Sequence, residues 1–225
     1  MKFFSYFITL LFLLILSGIA VFFYGLWYFG KDLPDYKELS KYNPNVVTRI
    51  HAGNGALLAE YATQKRVFVP ISVIPKKVIN AFISAEDKDF YNHFGIDLMA
   101  TLRALITNVK NIGTNKRLIG ASTITQQVAK NFLLSSEMSY ERKIKEAILA
   151  IRIERAFSKN EILELYLNEI YLGFKSYGVA AAALNYFDKS LDNLDLSEAA
   201  FLAALPKAPN NYNPIYKKKE AIVRR

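Results

Sequence analysis

Cysteine is absent from this chain of 225 residues, and histidine occurs only at His51 and His93. The first absence rules out disulfides and cysteine-based metal clusters, and the two histidines lie too far apart in sequence to argue a shared site. A chain without cysteine fits an exported domain large enough to do without disulfides, though many cytosolic proteins share the trait. There is no phosphate-loop consensus, no S-x-x-K and no internal repeat. One stretch also lacks charge: from Phe3 to Gly30 no charged residue occurs, and about 20 apolar residues suffice to cross a bilayer core.

What is present starts with that stretch. Lys2 precedes it, Lys31 and Asp32 follow it, and Tyr24, Trp27 and Tyr28 sit near its far end as interfacial aromatics do. The apolar run is longer than a cleavable signal core, so residues 1–30 read as an uncleaved signal-anchor helix. Lys2 and the free amino terminus favour a cytoplasmic N-terminus with the remainder exported. The anchor also accounts for a hydrophobic share of 52%, high for a soluble protein. Net charge is +9, nearly all of it after the anchor, which favours anionic partners. Beside a membrane these are lipid headgroups and phosphate-bearing lipids before nucleic acid; the alternative is a generic solubilising surface.

Residues 31–45 are polar, with two prolines, and read as a juxtamembrane linker. Val46–Ile50 and Leu57–Tyr61 flank Asn54-Gly55 and predict a hairpin, with Arg66–Val69 as a third short strand. From Pro75, placed for a first helical turn, the pattern is helical to the end.

The decisive stretch is Ile79 to Gly95. At helical spacing Ile79, Phe82, Ile83, Glu86 and Phe90 share one side, so a carboxylate interrupts an apolar stripe. Burial disfavours a charged carboxyl, which suits a group that takes and returns a proton. The alternative is a stripe assigned slightly wrong, with Glu86 on an exposed edge beside Asp87. Further on, NVKNIGTNKRLIG (108–120) reads as a mobile, basic, partly apolar loop that touches the membrane. GASTITQQ (120–127) is dense in hydroxyl and amide groups, which suits either a helix start lining a polar, anion-binding pocket or an ordinary cap.

The helix over 141–156 has two apolar sides, one of Ile144, Ala147, Ile148 and Ile151 and the other of Leu149, Ala150 and Ile153, so most of its circumference calls for burial. Glu146 lies in the second side with Arg142 and Lys143 one turn earlier, either a second acidic site or a structural ion pair. Ser158/Glu161 and Asp195/Glu198 read as capping boxes, Gly178 to Phe187 as a closely packed small-residue helix, and Pro206 as a helix stop. The tail KKKEAIVRR breaks off inside a polar helical pattern, which leads us to expect a fragment of a longer protein.

Five stretches in order resemble the glycosyltransferase domain of bifunctional (class A) penicillin-binding proteins: Glu86-Asp87-Lys88-Asp89-Phe90 with His93 and Gly95; GASTITQQ; Arg142-Lys143-Ile144-Lys145-Glu146; ILELYLN (162–168); and a late segment ending LPKAPNNYNP at Pro214. The resemblance covers roughly residues 65–215 plus the anchor. It implies a mainly α, lysozyme-like domain over 75–215, preceded by the linker and hairpin (31–74) and followed by the start of a linker (216–225) to a missing transpeptidase domain. It implies an inverting enzyme on the outer face of the bacterial cytoplasmic membrane that polymerises lipid II into β-1,4-linked glycan. Glu86 matches the catalytic glutamate and Glu146 the second glutamate. Lys130, Arg142 and Lys143 match basic positions that steady the leaving diphosphate, and Arg103, Ser122, Thr123 and Gln127 match polar positions around the donor. Gln126 and Asn168 join the substrate-binding candidates from the same motifs. A divalent metal such as Mg2+ is expected beside these cations, with no organic cofactor. The implied partners are lipid II, the growing glycan, the membrane and other cell-wall synthesis and division proteins. One departure is Met138, where relatives usually carry arginine. Two other readings stay open, a lysozyme-like or lytic glycan-cleaving enzyme and a non-enzymatic membrane-anchored scaffold.

Overall fold

The structure is a computed structural model that describes residues 2–41, 48–54, 57–61, 65–114, 116, 118–134, 137, 139–209 and 219. It is mainly helical. The apolar N-terminal stretch forms α1 (Lys2–Gly30), with none of its most apolar window buried against the rest of the protein; by length and composition it can cross a membrane. Its end is tied down, because Arg152 Nη2 donates to the Gly30 carbonyl at 3.1 Å. A 3-10 turn at Tyr36–Lys41 then brings Leu39 into the core.

The predicted hairpin is present as β1 (Thr48–His51) paired antiparallel with β2 (Leu57–Tyr61). Gly55 of its turn lies outside the described residues. The third strand differs from expectation. It is the two-residue β3 (Lys65–Arg66), and it pairs not with the hairpin but in parallel with β4 (Ser176–Tyr177), far along the chain. Arg66 explains the choice, since its guanidinium pairs with Glu169 and lies over the Tyr177 ring at 4.6 Å.

The helical body comprises α2 (Lys76–Glu86), α3 (Leu98–Lys110), α4 (Ile124–Leu133), α5 (Tyr140–Ala156), α6 (Lys159–Glu169), α7 (Val179–Phe187) and α8 (Leu196–Ala204). α2 packs on α8, and α4 packs on both α5 and α6. Phe82, Ile124, Leu149, Ile153, Leu163 and Leu202 are among the fully buried side chains at the centre. Capping follows the sequence closely. Ser158 with Glu161 caps α6, Asp195 with Glu198 caps α8, and Thr123 with Gln126 caps α4.

Two helices depart from their periodicity. α2 begins after Pro75, which is its N-cap, and stops at Glu86; Phe90 belongs to a separate 3-10 turn at Phe90–Asn92. α5 buries fully only its second apolar side, Leu149, Ala150 and Ile153, whereas Ile144 and Ile151 stay 38% and 36% exposed. The loop between α2 and α3 lies hard against α5 at Gly95. Its φ is +90°, and a Cβ there would sit 2.7 Å from the Ala150 carbonyl carbon and oxygen, a position open only to glycine.

Candidate active site

Glu86 is the last residue of α2, and the corner after it reverses the expected burial. Asp87 is buried while Glu86 is only half-buried, because the chain leaves the helix at this point and turns Asp87 inward. Burying a carboxylate requires donors, and Asp87 has them. His93 Nε2 lies 3.0 Å from each Asp87 oxygen, and the backbone N–H of Ile124 donates to Oδ2 at 2.9 Å. His93 Nδ1 accepts from the Gly95 N–H at 3.2 Å, which assigns the ring proton to Nε2 and the donor role to that nitrogen. Asp87 thus pins the end of α2 to the first turn of α4. From there Gln127 Nε2 donates to Glu86 Oε2 at 2.9 Å.

The second carboxylate sits on α5. Glu146 is 1% exposed and is held by Lys143 Nζ at 2.5 Å from Oε2. Arg142 Nε lies 3.3 Å from Oε1, yet neither of those two buried atoms is hydrogen-bonded, so this second contact is an ion pair only. Lys143 Nζ also donates to Ser122 Oγ at 2.8 Å, linking α5 to the loop before α4. Burial pulls Lys130 below the usual lysine range; Lys143 and Arg142 act in the same sense, and Glu146 and Glu86 oppose it.

These groups border one cleft with two lobes. A lobe of about 410 Å³ runs from Ser84–Lys88 past Asp97, Ala100, Arg103 and Thr107 to Ile119–Thr123. Its neighbour, about 580 Å³, is walled by Gln126, Gln127, Lys130, Lys143, Glu146, Pro206 and Lys207. Glu86 and Ser122 border both lobes, so Glu86 stands where two substrates placed in the two lobes would meet. Glu86 and Glu146 line the same second lobe.

The candidates therefore fall into three groups. Glu86, Gln127, Lys130, Lys143, Glu146 and Ser122 converge, with Arg142 behind Glu146. Arg103 lines the first lobe but is exposed and lies 4.0 Å from Asp97. Thr123 and Gln126 reach the cleft wall, but their side chains are spent on the α4 cap, and Thr123 Oγ1 donates to the Gly95 carbonyl at 2.6 Å. Asn168 requires a correction. It is buried away from the cleft, bonded to both backbone groups of Val69 and to the Glu164 carbonyl, so it ties the Val69 segment to α6. Met138 lies outside the described residues. Lys207 was missed as a site residue; its place in LPKAPNNYNP was the available signal. Among the described residues no three His, Cys, Asp or Glu side chains cluster as a metal site.

Penicillin-binding protein 1A of Rickettsia typhi is 54% identical over 93% of this chain and 27% of its own length, and that of Escherichia coli is 46% identical over 100% of this chain and 26% of its own. The chain thus spans about a quarter of the curated relatives it matches. A crystal structure of penicillin-binding protein 1A from Haemophilus influenzae is 30% identical over 81% of this chain and 17% of that one, with a TM-score of 0.40. The family model described as Transglycosylase matches residues 54–225. That match takes in the whole cleft from Ser84 to Lys207 and well over half of the sequence: the chain belongs to the transglycosylase family.

Proposed function

We propose that this chain is the peptidoglycan glycosyltransferase part of a cell-wall synthesis enzyme, polymerising lipid II with release of undecaprenyl pyrophosphate. The observation that carries the reading is Glu86 at the junction of two lobes, with Lys130, Lys143 and Glu146 lining the second. Glu86 takes the proton from the 4-hydroxyl of the acceptor sugar as that oxygen attacks the donor's anomeric carbon. The bond to the diphosphate oxygen breaks, and configuration inverts to give a β-1,4 link. The leaving group carries concentrated negative charge, and cations fixed in advance stabilise it without reorganising. Lys130, Lys143 and Arg142 fill that role. Glu146 holds Lys143 and Arg142 in place.

A divalent metal belongs to the same proposal. Mg2+ commonly uses one or two carboxylates plus substrate phosphates; here Glu86 or Glu146 would be the protein ligand, and the metal would supply further neutralisation of the diphosphate. In this reading α1, long and apolar enough to cross a membrane, is a single-pass anchor, and the catalytic body stands on the outer face of the cytoplasmic membrane.

The test is incubation of the anchored protein with labelled lipid II. The parent should make glycan chains, and Glu86→Gln should lose activity by roughly 100- to 10,000-fold, the usual contribution of a general base. Equal polymer from both removes Glu86 from the mechanism. Cleavage of preformed glycan without polymerisation would favour a lytic enzyme, and neither activity would favour a scaffold.

A further inference from the structure

Arg152 belongs to the same helix as Arg142 and Lys143, yet it lines neither lobe of the cleft. Its Nη2 donates instead to the carbonyl of Gly30, the last residue of α1, at 3.1 Å. The final carbonyls of a helix have no partner inside it, and a cation placed there also meets the negative end of the helix dipole. A guanidinium answers both needs. The approach is close, because Gly30 is buried and a Cβ on it would lie 3.2 Å from that same nitrogen.

Two further observations give this contact its meaning. Lys31 Nζ lies 5.1 Å from the centroid of the Tyr28 ring and 5.8 Å from that of Trp27, and both rings are exposed. A lysine among aromatics at the end of an apolar helix is the pattern of a membrane–water boundary. The stretch after α1, which reads from the sequence as a juxtamembrane linker, turns back at once: the 3-10 turn at Tyr36–Lys41 packs on α5, with Leu39 buried. α5 thus grips the chain on both sides of residues 31–35.

The same helix carries the cations of the cleft. At 1.5 Å per residue, Arg152 stands about 9 Å along the α5 axis from Glu146 and about 15 Å from Arg142. We propose that Arg152 is a positioning residue for the reaction: by capping α1 it joins the anchor rigidly to the helix bearing Arg142, Lys143 and Glu146, and so holds those groups at one height over the lipid surface, where a membrane-borne diphosphate lies. The inference rests on the glycosyltransferase reading and adds to it the coupling of anchor to cleft. Without the contact, residues 31–35 become a tether that spans about 17 Å when extended, and the cleft rides at many heights.

The experiment uses the full chain in liposomes, as parent, Arg152→Ala and Gly30→Leu, the last breaking the contact from the anchor side. Trp27 is the one tryptophan and cysteine is absent. A dansyl label on Tyr140→Cys, an exposed position at the start of α5, therefore reads the distance between α1 and α5 by time-resolved energy transfer from Trp27. Both variants should broaden the distance distribution. With lipid II in the same bilayer, KM should rise by roughly three- to tenfold at unchanged kcat, because a slack tether dilutes the cleft relative to its substrate. The double variant should be no worse than either single one, since one contact cannot be lost twice. With a short-tailed, water-soluble lipid II analogue, parent and variants should turn over alike. An unbroadened distribution in both variants would overturn the inference, as would equal losses on the membrane-borne and soluble substrates, which mark a side chain that only stabilises the fold. Polymer from the parent with KM unmoved in the variants sinks this inference alone; no polymer from the parent on either substrate sinks the glycosyltransferase reading and takes this inference with it.

Discussion

Gln127 hands one amide hydrogen to Glu86 across the gap between α4 and α2, at 2.9 Å. The donor comes from the second turn of a helix whose first turn is locked to Asp87, so the aim of Glu86 is set by the junction of two helices rather than by its own rotamer. Gln127→Leu should lower kcat by roughly 10- to 100-fold, as expected for one hydrogen bond to a charged group, with little change in unfolding midpoint. Steady-state kinetics with lipid II checks it; unchanged kcat would mean the amide serves only the resting state.

Glu146 restrains two cations from one buried position. Glu146→Ala should destabilise the chain by about 2–3 kcal/mol, less than the upper range for a buried ion pair because Lys143 is half exposed to solvent. Polymerisation should fall with it. Denaturant unfolding gives the first number, and an unchanged midpoint would show that Lys143 and Arg142 are fully resolvated.

Lys130 is a cation whose charge burial disfavours. Below its folded pKa the native state carries the desolvation cost. Above that pKa, and below the ordinary 10.5, native lysine is neutral while the unfolded chain still binds a proton, so stability rises with pH. Lys130→Met should therefore raise the midpoint by about 1–3 °C at pH 7, with the gain shrinking as alkaline pH is approached, while activity is lost. Thermal melts at pH 7 and pH 9.5 test the sign.

Leu118 and Ile112 project from the segment after α3, and Leu98, Leu102, Leu105 and Val109 continue an exposed apolar strip along that helix. We expect this strip to enter the lipid surface, since contiguous exposed apolar area marks an interaction face. In a Trp27→Phe background, Leu118→Trp should show fluorescence quenching by acyl-brominated lipids in liposomes. An unquenched signal would place the segment in water.

How much of this was legible beforehand depends on the range of the interaction. The anchor, the capping boxes and the hairpin are local, because each is fixed by residues within a few positions of one another. Glu86 and Glu146 stood out as carboxylates inside apolar patterns, and the motif resemblance ordered them. The pattern failed where a helix ended: periodicity carried α2 through to Phe90, but the chain turns at Asp87, so the deeply buried carboxylate is Asp87 and Glu86 faces the cleft. Asn168 failed for a related reason, since its partners at Val69 lie 99 residues away.

The amino-acid sequence by itself determined a membrane-length apolar helix, a helical body, the starts of its helices and two glutamates set into apolar patterns, because composition, period and capping act over short distances. Only the tertiary structure decided that Gln127 meets Glu86 and that Ser122 and Glu146 share Lys143. Those relations arise from helices packing on one another, and packing is set by shapes and buried polar groups that no single stretch contains.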